Sequence, residues 1–348
     1  MMRSLLTVLA FSAAIGAGAQ VTAAAAAGSA SLRFELRDWE LVCDNTRTCR
    51  AAGYHAENAD HAPVSVLLTR KAGPAQPVMA SVRLGDTGDD APPPGALTML
   101  VGGRPVGLVA LNPEDATGRL SPAQADALLR AVAGSGKVAW RADGREWILS
   151  AAGATAVLLK MDELQGRLDT PGAAVRKGSR PEESVPAPVP APVIRAAAVP
   201  KGSAPRLDKA TERILLADLR KTVAKNDCEL LWAAGKAEFG YAPLTQEKML
   251  VSTPCWRAAY NEGDGYWIVN RRPPFAPQPV NQVGSSYEDG SIVSVTKGRG
   301  IADCVWRDEW VWDGKGFVAT ASSMTGMCRG IAAGGAWDLP TLVSEVKH

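Results

Sequence analysis

The sequence predicts an α+β protein: two β-rich units with a few helices each, joined by a Pro/Ala-rich linker. Three observations carry this. Short apolar runs of period two alternate with a small number of helical patterns. Six cysteines, Cys43, Cys49, Cys228, Cys255, Cys304 and Cys328, fall two before and four after one break in composition. At that break, between Pro171 and Arg206, prolines alternate with Ala and Val. The 348 residues are 46% hydrophobic and 21% charged, as in ordinary globular chains, and their length suits two domains.

The chain opens Met1-Met2-Arg3-Ser4, followed by an apolar run from Leu5 to Ala19 and a stretch of small residues. This is the layout of a cleaved secretory signal over residues 1–27, with cleavage within 19–27. The run is shorter than the roughly 20 residues of a membrane span, so no transmembrane segment is expected after cleavage. Export places the mature protein in the periplasm, where six cysteines read as three disulfides. Sequence order suggests Cys43–Cys49, Cys228–Cys255 and Cys304–Cys328. The four later cysteines allow two other pairings.

In the first unit, residues 28–170, Leu32 to Cys43 is strand-like and Val64, Val66 and Leu68 alternate in a second strand. Asp86 to Gly95, with three consecutive prolines, reads as a surface loop. Ser121-Pro122-Ala123-Gln124 has the cap, first-turn proline and fourth-position Gln of a helix start. Leu128, Leu129 and Val132 supply its inner face. Val138 to Trp140 and Trp147 to Ser150 flank Asp143-Gly144 as a hairpin, and Ala154 to Gln165 is a second amphipathic helix. Residues 171–206 read as an extended, solvated spacer with six basic and two acidic residues.

The second unit, residues 207–348, starts with a helix over Asp208 to Lys225, with Ile214, Leu215 and Leu219 inward. Tyr266 to Asn270, Ser291 to Thr296 and Phe317 to Ser322 read as strands. Cys304, Trp306, Asp308, Trp310 and Trp312 share one strand face, ahead of a tight turn at Asp313-Gly314.

The residues also carry a family resemblance. Trp39-x-x-x-Cys43-Asp44-Asn45, Ser150-Ala151-Ala152-Gly153, Met161-Asp162-Glu163-x-Gln165-Gly166-Arg167, Cys255-Trp256-x-x-Ala259-Tyr260-Asn261, Trp310-x-Trp312-Asp313-Gly314 and Cys328-Arg329-Gly330 follow in order. Together they resemble exported bacterial proteins of the domain-of-unknown-function family 1176. The first unit is more distantly similar to invasion-associated locus B proteins. Neither resemblance implies a reaction, so no catalytic residue is carried over.

The remaining residues weigh against catalysis. Cys43, Cys49, His55 and His61 could compose a zinc set, but their six-residue spacing is wrong and an oxidising compartment joins the thiols first. The chain has three histidines, His55, His61 and His348, and lacks Gly-x-Ser-x-Gly. Gly102-Gly103-Arg104 and Gly298-Arg299-Gly300 lack the setting of a phosphate loop. No cofactor or metal is expected, and a net charge of +2 gives no field for nucleic acid. Glu262, Asp264, Glu288 and Asp289 could furnish a carboxylate pair for a cell-wall glycan or peptide hydrolase. An inhibitor or stress protein of the envelope is a third reading. The leading one is a non-enzymatic binding module for an envelope component or protein partner. Seven of the ten tryptophans lie in the second unit. Tyr266, Trp267, Arg271, Arg272 and Trp312 are its expected exposed surface.

Overall fold

The computed structural model describes residues 32–85, 92–202, 204, 206–233, 235 and 237–348. The signal segment and the first part of the proline loop lie outside them. The described chain is mostly β-sheet with three α-helices.

Its first half contains β1 (Leu32–Leu36), β2 (Trp39–Cys43), β3 (Cys49–Tyr54), β4 (Val64–Arg70), β5 (Val78–Leu84), β6 (Ala96–Val101), β7 (Arg104–Ala110) and β8 (Thr117–Arg119). After these come α1 (Pro122–Ala133), β9 (Val138–Ala142), β10 (Arg145–Leu149) and α2 (Ala154–Leu164). An antiparallel sheet of order β1-β2-β3-β4-β5-β8 packs with a second of order β10-β9-β6-β7. Trp39, Leu41, Val66, Leu68, Met99, Trp140, Leu128 and Val157 meet in the core between the sheets and the two helices. Leu32 to Cys43 is therefore two strands rather than one. The chain reverses at Arg37, which takes φ 54° without a glycine to mark the turn.

The helix starts follow their sequence signals. Ser121 Oγ accepts from Gln124 N while the Gln124 side chain accepts from Ser121 N, closing a capping box. Helix α2 starts at Gly153, whose φ of 95° and whose contact with the Leu36 carbonyl leave no room for a Cβ. Gly153→Ala should destabilise the protein by about 2–4 kcal/mol, through strain and steric clash together. An unfolding free energy within about 0.5 kcal/mol of the native protein, from denaturant titration, would refute this packing.

The second half contains β11 (Val193–Arg195), α3 (Lys209–Leu219), β12 (Gly240–Pro243), β13 (Lys248–Arg257), β14 (Glu262–Asn270), β15 (Gln278–Gly284) and β16 (Ser286–Glu288). Strands β17 (Ser291–Lys297), β18 (Val305–Trp312), β19 (Phe317–Met324), β20 (Leu339–Leu342) and β21 (Glu345–Lys347) complete it. One sheet runs β12-β13-β14-β15 and another β16-β17-β18-β19-β20. Helix α3 is shorter than expected. After Leu219 its exit is held by Arg220, which donates twice to the Leu231 carbonyl. Its inner stripe is Leu215 and Leu219, four apart, whereas Ile214 turns outward at 51% exposure. All three disulfides pair in sequence order, Cys43–Cys49, Cys228–Cys255 and Cys304–Cys328.

The described residues between 171 and 202 differ from the solvated spacer expected of their composition. They lie as a strap across the molecule. Glu182 accepts from Ala75 N and Gly172 N and pairs with Arg167 at 3.1 Å. Val185 is buried, and Val189 N donates to the Thr46 carbonyl. Further on, β11 adds in parallel to β21, and Ala197 N reaches the Trp312 carbonyl. Alternating proline keeps the strap extended, and among the donors left between the prolines Val189 N finds a fixed acceptor.

The two halves also meet directly. Val42, Ala52 and Tyr54, on the second face of the six-stranded sheet, share a hydrophobic cluster with Met324, Met327, Ile331 and Leu339. This explains why every residue of β2 is buried. Polar ties reinforce the seam. Asn45 and the backbone of Val343 exchange two hydrogen bonds, Arg329 binds Asp38 at 3.0 Å, and Trp337 Nε1 donates to Ser65 Oγ.

Candidate functional site

The aromatic surface expected from the sequence is corrected by burial. Tyr266, Trp267 and Trp312 are 2%, 0% and 2% exposed. Tyr266 and Trp267 are neighbours on β14, so they point to opposite faces, and both faces are covered. Trp267 packs with Leu215, Leu219 and the Cys228–Cys255 bridge, and its Nε1 donates to Thr222 Oγ1. Tyr266 and Trp312 pack with Leu250, Ile268 and Ile292 between the two sheets of the second half. Arg271 is half-buried and Arg272 exposed, so these two alone remain from that surface.

The four candidate carboxylates separate. Glu262 and Asp264 alternate on β14 and line one cleft of about 260 Å³ with Tyr260, Ser285 and Lys297. Burial, and then the charge of Glu262, pushes the Asp264 carboxyl above its ordinary range. Glu262 is engaged by Arg257 at 2.9 Å. Glu288 and Asp289 belong to the β16–β17 turn and do not line that cleft. His55 is buried and tied to Val64, and burial lowers its basicity.

A second cleft, of about 340 Å³, opens along the seam. From the first half it takes Arg83 and Leu84 at the end of β5, Trp147 of β10, and Glu114 and Asp115 before β8. From the second half it takes Ile331, Ala332 and Ala333. Arg83 crosses between the halves, donating to the carbonyls of Asp115, Gly335 and Ala336. The lining therefore mixes apolar surface, guanidinium and carboxylate, with no Cys, Ser or His among its described residues. Sequence reasoning did not group these residues, because they come from separate elements. Of the lining, only Pro92-Pro93-Pro94 carried a local signal.

Two comparisons bear on what this architecture is. The family described as "Protein of unknown function (DUF1176)" matches residues 33–344, nearly all of the described chain. The chain belongs to this family. An uncharacterised protein of Escherichia coli (strain K12), YpfG, is 27% identical over 334 residues, covering 88% of this chain and 90% of the relative. No solved structure matches.

The blocks that carry the family resemblance sit at joints. Asp162 accepts from Ala174 N and Val175 N, and Gln165 donates to the Arg47 and Arg70 carbonyls. Arg167 donates to the Lys71 and Gly73 carbonyls and to Gln165 and Glu182. Asn261 exchanges hydrogen bonds with the Lys297 backbone, tying the β13–β14 turn to the neighbouring sheet. Arg329 and Asn45 bind across the seam. These motifs hold the strap and sheets in place, and Ser150 Oγ donates to Asp38 Oδ2 at 2.6 Å beside the seam. No described helix is long and apolar enough to cross a membrane.

Proposed function

We propose that the protein is a non-enzymatic binding module of the periplasm that takes a segment of an envelope component into the seam cleft. The observation that carries this reading is the composition of that cleft, which both halves build around Trp147, Arg83 and Ile331. Ligand clefts favour such junctions, where apolar lining meets a few fixed polar groups. Three disulfides suit an oxidising compartment.

Ala332→Trp should fill the cleft without removing any buried side chain. The mature chain is expected to be retained on purified peptidoglycan or on solubilised envelope protein, and Ala332→Trp should reduce retention at least 10-fold with unchanged melting. Loss in Arg271→Ala or Arg272→Ala instead would move binding to the turn after β14. Retention on neither material would overturn the reading.

One observation favours a second reading, a cell-wall hydrolase. Asp264, with its raised pKa, shares a cleft with a second carboxylate, as a general acid would. That reading requires turnover of peptidoglycan fragments that Asp264→Asn abolishes.

A further inference from the structure

A third cleft, of about 350 Å³, is lined by the first half and the start of the strap, with no residue of the second half. Its wall is α1, which presents Asp126, Leu129 and Arg130. Its opposite lip is the start of the strap, from Gly172 to Lys177. At its base is Arg70, the last residue of β4.

Arg70 is an unusual residue to find there. Its side chain is 5% exposed, yet its Nη1 makes no hydrogen bond. Its Nε is held by the Gln76 carbonyl at 3.0 Å, which fixes the guanidinium plane. The nearest carboxylate, Asp162, stands 3.7 Å from Nη1, beyond hydrogen-bond reach. Both Asp162 oxygens already accept backbone N–H groups from the strap. Burial and the neighbouring Arg167 push Arg70 down to about 10, so it stays charged at neutral pH. A buried cation short of acceptors is costly unless an anion completes it. Around it, Arg130 and Lys177 are exposed at the rim, against the single carboxylate Asp126.

We propose that this cleft is an anion site, in which Arg70 at the base and Arg130 and Lys177 at the rim hold the phosphate or carboxylate of a small molecule. A buried guanidinium held at Nε, with no acceptor at Nη1, suits an oxyanion. The space exceeds that of a bare inorganic ion and fits a body the size of a sugar. The strap forms one lip, so the site exists only while residues 171–177 are docked. It is independent of the seam cleft, and either can fail without the other.

The test is titration calorimetry of the mature chain with inorganic phosphate, glucose 6-phosphate, glucuronate and glucose at constant ionic strength. The two sugar acids separate phosphate from carboxylate as the recognised group, and glucose reports the sugar body alone. Arg130→Glu with Lys177→Glu changes exposed residues and should leave the melting temperature in place while weakening the anions at least 10-fold. Asp126→Asn should tighten them two- to fivefold. Binding of no anion below 10 mM, or anion binding untouched by the rim reversals, would overturn the proposal.

Discussion

Arg167→Ala is expected to destabilise the protein by about 3–5 kcal/mol, the range for removing one partner from a buried charge network. The Arg167 side chain is fully buried, and its donors reach Gln165, Glu182 and the carbonyls of Lys71 and Gly73. Truncation would leave these acceptors unsatisfied and open a cavity where the guanidinium had been. The effect should also be directional. Glu182 belongs to the strap, so its loss of Arg167 should free residues 180–189 before the sheets themselves unfold. Chemical denaturation would measure the first part, and amide hydrogen exchange at Val185 and Val189 the second. A loss below 1 kcal/mol, or unchanged exchange, would show that Arg167 does not anchor the strap. Glu182→Gln should cost less, because its side chain is partly exposed and a neutral amide still accepts hydrogen bonds.

The second large effect is expected at Glu40, which lies inside the seam. Its Oε1 accepts from the Tyr54 hydroxyl and from Met327 N, each at 2.7 Å. Its Oε2 has no hydrogen bond and lies 3.5 Å from Arg33. Burial raises its carboxyl above the ordinary value of 4.5, against the opposing hydrogen bond from Tyr54 and charge of Arg33. A folded pKa above the unfolded one means that the protonated form favours folding. The contribution is complete below 4.5 and is lost as pH rises through the raised folded value. Glu40→Gln keeps an oxygen for Tyr54 and Met327 while removing the charge. It should therefore equal or exceed the native protein in stability at pH 7 and flatten the dependence between pH 4 and 8. Glu40→Ala orphans both donors and should cost about 2–4 kcal/mol. Melting curves across that range decide it: if Gln costs as much as Ala, the carboxylate charge itself holds the seam.

Elements whose signals are local could be read from the sequence. The Ser121–Gln124 box, the apolar spacing of α2 and the turn at Asp313-Gly314 fix their own geometry within a few residues. The Cys43–Cys49 bridge joins directly paired residues on adjacent strands, so sequence order served as well as structure. Properties set by distant partners could not be read this way. Nothing near Tyr266 or Trp267 announces that β14 is covered on both faces, since the covering comes from α3 on one side and β17–β18 on the other. Ala and Pro between residues 185 and 192 look alike in a free spacer and in a docked strap. The difference lies in Arg167 and Thr46, which belong to other segments. The anion cleft was illegible for the same reason, because a strand end, a helix face and the strap each contribute one cation.

The pairing of β11 with β21 sets an order of events. Val193 leaves the ribosome long before Glu345, its register partner, exists. The six-stranded sheet and its two helices can form from contiguous chain, but the strap's pairing at 193–195 must wait for residues 345–347. Until then the strap is held by its contacts to Arg167, Ala75 and Thr46, and β11 lacks its strand partner. Pairing of β21 is thus the step that fastens residues 193–195, and removing residues 345–347 should leave a folded first half with that end of the strap unsecured.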